Sequence, residues 1–352
     1  MKKIKVETGV PYEVLLERAS LDRAGEYIRD KVGVCHAMLV SDDTVFSLYG
    51  ERVKESLVSA GFEVDSFVFA HGEESKNTDT LVSLIEYMAE KQLTRRDIAV
   101  ALGGGVVGDM TGFAAAVYQR GIRYVQIPTT LLAMVDSSVG GKTAVDLRAG
   151  KNLAGAFWQP SLVLCDIDTL GTLPNEIFAD GCAEVIKYGV IYDGELFSRL
   201  EVALSRDSDS LEDIIARCIE IKAEVVSQDE REGGLRQILN FGHTAAHGIE
   251  KLSSYAVSHG SAVAIGMVIA ARAAVHKGIC DGSACERIEA LCKKCNLPIS
   301  TEYTADALAK TALSDKKRSG GKLTFVFPTG IGACERVEID ISEIKDVFQK
   351  GM

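Results

Sequence analysis

Between residues 37 and 165 the chain alternates short, mainly apolar runs with longer stretches of mixed polarity. The runs at 37–40, 66–69, 98–102, 124–127 and 162–165 have the length and the largely apolar character expected of buried strands. Between the second and third, Leu81, Leu84, Ile85 and Met88 recur at three- and four-residue spacing and mark a helix. Buried strands separated by helices predict βαβ units and a mainly parallel sheet. In such sheets ligands sit at the carboxyl ends of the strands.

From about residue 173 the pattern changes. Helical periodicity runs through 174–190, 211–229, 240–252, 261–277 and 285–295, and extended segments nearly vanish until 323–327. The expected architecture is α/β plus α: a Rossmann-like parallel-sheet domain over residues 1–170, then an all-helical domain over 171–352, with the active site in the cleft between them. No repeat or low-complexity linker separates the two.

A chain of 352 residues fits two domains. Its 39 basic and 50 acidic residues give a net charge of −11, which argues against a nucleic-acid partner. An apolar content of 47% supports substantial cores, and the 25% of charged residues suits a soluble protein. The most apolar stretch, 260–271, stops at Arg272 and is shorter than the roughly 20 residues of a spanning helix, so no membrane role is expected. The opening MKKIKVETGV has lysines without an apolar run behind them, so no signal peptide is expected. The nine cysteines, scattered and odd in number, read as reduced thiols, and the compartment as cytoplasmic. The Cys292/Cys295 pair has no second pair nearby and reads as helix packing.

Candidate chemistry begins where the run 98–102 enters Gly103-Gly104-Gly105-Val106-Val107-Gly108-Asp109. Glycines after a strand let the backbone approach a pyrophosphate, and the following helix offers N–H donors and a positive dipole end. The acidic residue expected about 20 positions later is absent; Asp42, directly after the run 37–40, is the better ribose partner. The segment Asp136-Ser-Ser-Val-Gly-Gly-Lys142-Thr143 resembles the end of a P-loop but lacks its first glycine. Lys142 and Lys151-Asn152 still suit a phosphate or cofactor.

In the second half, Asn240 can cap a helix that carries His243 and His247 four apart, on one face. His259-Gly260 opens the next helix, and Glu184 stands among apolar residues with Lys187 one turn on. A buried carboxylate is costly unless paired or metal-bound. One carboxylate and two imidazoles leave an open position, as in catalytic zinc sites. Spacing does not decide which two of the three histidines bind. Lys142, Lys151, Lys187, Lys222, Arg236 and the 315–318 run Asp-Lys-Lys-Arg, in so acidic a chain, point to an anionic ligand.

These segments resemble the 3-dehydroquinate synthases, of the sugar-phosphate cyclases. The carrying stretches are GEESK (72–76), GGGVVGDMTGF (103–113), QIPTTLLAMVDSSVGGKTAVD (126–146), KNLAGAFWQP (151–160), GCAEVIKYG (181–189), LNFGHTAAHGIE (239–250), HGSAVAIGM (259–267) and DKK (315–317). They follow the family in order over nearly the whole chain. Cys182 and Trp158 stand where a larger aliphatic and a tyrosine are common; both read as packing changes.

The resemblance implies NAD in the first domain, zinc or cobalt in the second, and a homodimer. It implies metal ligands Glu184, His243 and His259, leaving His247 to the substrate. NAD contacts would come from Asp42, Glu73, Lys76, Gly105, Val106, Val107, Gly108, Asp109, Thr129 and Thr130, with Lys142 and Lys151 near the nicotinamide. Thr169, Leu170, Gly171 and Thr172 would close over the cofactor. Substrate residues would be Asp136, Lys142, Asn152, Lys187, Lys222, Arg236, Asn240, His247 and one of Lys316 and Lys317, and Arg120 would reach the partner subunit's site.

The implied reaction turns 3-deoxy-D-arabino-heptulosonate 7-phosphate into 3-dehydroquinate and phosphate, in the shikimate pathway to the aromatic amino acids. A hydroxyl is oxidised, phosphate is eliminated, the hydride is returned, and an intramolecular aldol closes the ring. The alternatives are a sister cyclase such as 2-deoxy-scyllo-inosose synthase, or a metal-dependent polyol dehydrogenase. Arg236, Lys222, Asn240 and Lys316-Lys317 favour a substrate with two anionic ends.

Overall fold

A computed structural model of the chain describes residues 1–316 and 321–352, and of 313–316 the backbone only. Two compact units emerge: residues 1–173 with 222–230, and residues 174–221 with 231–352.

The first unit is built on strands β1 (Lys2–Val6), β2 (Tyr12–Leu16), β3 (His36–Asp42), β4 (Glu63–Phe69), β5 (Ile98–Gly103), β6 (Arg123–Pro128), β7 (Lys142–Leu147), β8 (Gly150–Phe157) and β9 (Leu162–Cys165). Seven form one sheet in the order β1-β2-β9-β6-β5-β3-β4, parallel except for the β1/β2 hairpin at its edge. The five apolar runs are β3, β4, β5, β6 and β9, the parallel part of the sheet. The two hairpins, β1/β2 and β7/β8, are additions that the runs do not mark. β1 and β7 mix charged and apolar residues (KKIKV, KTAVDL), because alternate positions of each stay open.

Successive residues of the central strands feed opposite cores, as the pleat requires. Leu39, Ile98, Val100 and Leu102 pack with Ile28, Val53 and Leu57 from α1 (Ala24–Val32) and α3 (Glu51–Ser59), which follows the short turn α2 (Asp43–Val45). Met38, Val40, Ala99 and Ala101 pack with Leu84, Met88, Met110 and Ala114 from α4 (Thr78–Glu90) and α5 (Gly105–Val117). Asn77 fixes the start of α4 by accepting from the N–H groups of Asp79 and Thr80, each at 2.9 Å.

Among the described residues the second unit is helical except for one antiparallel pair. Its helices are α6 (Asn175–Ile191), α7 (Gly194–Ala203), the first part of α8 (Leu211–Gln228), α9 (His243–Leu252), α10 (His259–His276), α11 (Gly282–Lys294), α12 (Ala305–Lys316) and α13 (Ile344–Gly351). The pair is β10 (Lys322–Gly330) with β11 (Ala333–Asp340); its first strand contains the expected extended segment 323–327. α10 has the length and composition of a membrane span, yet its residues from Ala262 to Ala271 are buried as the hub on which α6, α9, α11 and α13 pack.

One expectation needs correction. Asn240 does not cap α9: it ends a 3₁₀ turn, Leu235–Asn240, and Gly242 stands at the cap in a left-handed conformation (φ 81°). A side chain at 242 would meet the backbone of α10, at 2.8 Å from Met267 N and 2.9 Å from Val263 O. Glycine is therefore needed twice over, for the dihedral and for the close approach.

Candidate active site

In the first unit the candidate residues gather where β3, β5, β6 and β9 end. β5 stops at Gly103 and α5 opens at Gly105, so the first N–H groups of a 13-residue helix follow directly on the strand. The glycines are closely approached by side chains: a Cβ on Gly108 would lie 2.6 Å from Gln126 Oε1, and one on Gly105 3.2 Å from Ser137 Oγ. Thr129 donates its N–H to the Gly103 carbonyl at 3.0 Å. Its hydroxyl and that of Ser137 are buried without a hydrogen-bond partner among the described residues. Buried hydroxyls left open beside a helix N-terminus fit a ligand rich in acceptor oxygens, such as a dinucleotide pyrophosphate. Val106 and Val107 occupy the first turn of α5, and Thr130 accepts from the Ala133 N–H at 3.1 Å.

Asp42 ends β3, the neighbour of β5, and its carboxylate caps the next turn by accepting from the Val45 N–H at 2.8 Å. Burial pushes its pKa up, against the pull of that N–H. Thr169 to Thr172 lie in a 3₁₀ turn after β9. Thr169 and Leu170 are buried; the Thr172 hydroxyl meets Tyr49 Oη at 2.5 Å.

Lys76 links three candidates. Its buried ammonium donates to Asp109 Oδ2 at 2.7 Å and to Asn152 Oδ1 at 2.6 Å. Burial works against its charge, but Asp109 and Glu73 outweigh burial and raise its pKa. Lys151 pairs with Glu73 at 3.4 Å, and exposed Lys142 opens β7. Lys222, in the last part of α8, makes an ion pair with Asp136 and donates to its carbonyl at 2.6 Å. Arg120 stands at the far end of α5 from Gly105, in a left-handed conformation (φ 67°).

In the second unit Glu184, on α6, is fully buried and closes an ion pair with Lys187, one turn along. His243 opens α9 and His259 opens α10. Both turn Nε2 toward Glu184 Oε1, at 3.5 and 3.2 Å. Their other nitrogens are occupied behind: His243 Nδ1 lies 3.1 Å from the Phe241 carbonyl, and His259 Nδ1 lies 3.6 Å from Glu250 Oε1. Ligand atoms of Glu184, His243 and His259 all fall within 4.8 Å of one another, so these three can hold a metal ion. An imidazole anchored at Nδ1 with Nε2 directed inward is the usual posture of a metal ligand.

The two imidazoles sit in opposite electrostatic surroundings. Burial, with the charges of Lys187 and His259, holds His243 down at about 3. Burial would also depress His259, but hydrogen bonding and charge from Glu184 and Glu250 lift it to about 10.

His247 lies outside the ligand cluster, its ring edge-on to His243 with centroids 5.7 Å apart. Geometry thus separates histidines that spacing left equivalent. Arg236 is among the largest fully buried side chains, and Asn240, four residues on, donates to Glu232 Oε1 at 2.7 Å. Lys316 ends α12; its side chain and all of Lys317 lie outside the described residues. Glu250 was missed from sequence, although it follows His243 and His247 at seven and three residues and so shares their helix face.

The family model for the 3-dehydroquinate synthase N-terminal region matches residues 66–180, and that for the C-terminal region matches residues 181–318. The 3-dehydroquinate synthase of Pelobacter propionicus is 47% identical over 339 residues, covering 95% of this chain and 94% of that one. Among solved structures, a 2-deoxy-scyllo-inosose synthase with carbaglucose-6-phosphate, NAD+ and Co2+ superposes with a TM-score of 0.90 at 26% identity, covering both chains fully. The 2-epi-5-epi-valiolone synthase of Streptomyces hygroscopicus, with NAD+ and Zn2+, gives 0.89 at 28% identity over 99% of each chain.

Proposed function

The chain belongs to the 3-dehydroquinate synthase family, and on that premise we propose that it converts 3-deoxy-D-arabino-heptulosonate 7-phosphate to 3-dehydroquinate and phosphate. It is a carbon–oxygen lyase that eliminates phosphate and closes a carbocycle with no net redox change. When bound, NAD+ takes up and returns one hydride, and a divalent zinc or cobalt ion polarises the reacting oxygen.

The chain's own residues supply binding and orientation. Glu184, His243 and His259 hold the metal; the observation that carries the reading is their convergence within 4.8 Å. The glycine-lined start of α5, Thr129 and Asp42 hold the dinucleotide, with Glu73, Thr130, Lys151 and the 169–172 turn beside it. Lys142, Asn152, the Asp136/Lys222 pair, Lys187, Arg236, Asn240, His247 and one of Lys316 and Lys317 take the sugar acid phosphate. Two buried cations, Lys187 and Arg236, suit a substrate anionic at both ends. Holding one flexible substrate in a reactive geometry is the largest contribution such residues can make.

The working form is a homodimer. Arg120 stands on a turn that packs against Trp158, beside exposed Val117 and Phe157, and a second copy would cover that surface. The site of action is the cytoplasm, in keeping with nine free thiols.

The test is phosphate release from the seven-carbon phosphate with catalytic NAD+, with and without chelator. Metal-dependent release without accumulating NADH is expected. Turnover of glucose 6-phosphate instead would move the chain to the 2-deoxy-scyllo-inosose synthases.

A further inference from the structure

The β7/β8 hairpin contains an irregularity at the point where two candidate residues sit. Val145 pairs with Ala154, but Leu147 pairs with Gly150, so Asp146 alone faces Lys151, Asn152 and Leu153. Such a bulge re-aims the side chains it carries. Asn152 is turned into the left-handed region (φ 54°), a conformation that persists in a non-glycine residue when its surroundings hold it there.

What holds it is Asp146. Its Oδ1 accepts the Asn152 N–H at 2.8 Å across the bulge. Its own N–H donates to the Lys76 carbonyl at 2.8 Å, beside a bridge between Asn77 and Asp146. Lys76 in turn reaches Asn152 Oδ1 and Asp109 Oδ2 with its ammonium. Asn152 is thus gripped from two sides, its backbone by Asp146 and its side chain by Lys76, the three closing a ring to which Asp109 is joined through Lys76.

We propose that Asp146 is a positioning residue, which by holding the Asn152 amide across the bulge sets Asn152 for the substrate. The proposal rests on the reading of Asn152 as a substrate residue. Asp146→Ala frees the bulge; Asp146→Asn keeps an oxygen acceptor at the same place. In the holoenzyme, Asp146→Ala lowers kcat/KM for the heptulosonate phosphate by about 10- to 100-fold, the cost of a misplaced group. NAD+ affinity, measured by calorimetry, stays within about threefold. Asp146→Asn restores most of kcat/KM.

Thermal midpoints supply a readout independent of turnover. Glycine adopts φ 54° without strain, so Asn152→Gly recovers part of the midpoint lost in Asp146→Ala, and gains less in the wild-type background. If Asn152→Ala cuts kcat/KM by more than tenfold while Asp146→Ala leaves it unchanged, the proposal is overturned and the reading of Asn152 stands. A parallel loss of NAD+ affinity and kcat/KM in Asp146→Ala also overturns it, since Asp146 then serves the fold or the cofactor. If Asn152→Ala is fully active, the substrate reading has failed; coupled midpoints then keep Asp146 as the residue that holds Asn152, and additive ones remove that role too.

Discussion

Lys187 stands one turn after Glu184 on α6 and pairs with it where neither side chain reaches solvent. Breaking a buried pair strands a charge and costs about 3–5 kcal/mol, whereas replacing both members with apolar residues is often neutral. In chelated protein, Glu184→Leu and Lys187→Met each lower stability by about that amount, and the double variant recovers most of it. Urea denaturation reads this directly; strictly additive losses would remove the pair from the stability of the unit.

The three histidines part company in a metal assay. His243→Ala and His259→Ala lose bound zinc or cobalt after dialysis, by more than the ~10–100-fold drop that loss of an outer-shell partner causes. His247→Ala keeps the metal and loses turnover. Atomic emission on the dialysed variants decides, and a metal-free His247→Ala would place that residue among the ligands.

Gly260 follows His259 at the start of α10, and a Cβ there would lie 2.3 Å from the backbone Cα and O of Asp180. Backbone atoms cannot rotate away. Gly260→Ala therefore costs about 1–3 kcal/mol and displaces His259 from Glu184. Weaker metal binding together with the lower midpoint is the expected result; unchanged metal affinity would mean that α10 shifts without moving His259.

Arg236 is buried, whereas Arg148 is exposed on the β7/β8 turn. Arg236→Ala lowers kcat/KM by about 2–4 kcal/mol of transition-state stabilisation, as the loss of a charge-assisted hydrogen bond would. Arg148→Ala leaves it unchanged. Equal effects in steady-state assays would remove the case for carboxylate recognition.

Asp97, just before β5, accepts from the Thr94 N–H at 2.6 Å, the Thr94 hydroxyl at 2.8 Å and the His36 N–H at 3.0 Å. Burial opposes its charge, but these bonds hold its pKa below the ordinary 3.8. A carboxyl depressed on folding contributes stability above its unfolded value and loses it as pH falls through the folded value. Asp97→Asn is therefore less stable than wild type at neutral pH, and the gap closes below about pH 4. A gap constant from pH 7 to pH 3 would contradict this.

The central parallel strands β3, β5 and β9 were legible because burial on both faces leaves an apolar run, and the helices because one buried face imposes a 3.6-residue period. Strands that bury one face or none escaped: β1 reads KKIKV, and β8 carries GKNLAGAF with half its positions open to solvent. Yet β8 brings Lys151 and Asn152 to the candidate site. The cap of α9 also eluded the sequence, since Asn240 has the right chemistry and only the close approach of α10 demands Gly242.

By itself the sequence determined the order of elements, the glycine-lined turn after a buried strand, and an inventory of one carboxylate, three histidines and several cations. Those follow from local rules of burial, periodicity and backbone freedom. The tertiary structure brought to Glu184 the two imidazoles that spacing could not choose and the family resemblance implied, and it alone decided that Glu250 backs His259 and that Asp146 grips Asn152. The residues of each set are up to 75 positions apart in the chain, and the packing of α6, α9 and α10 that joins Glu184 to His259 leaves no periodic trace in the sequence.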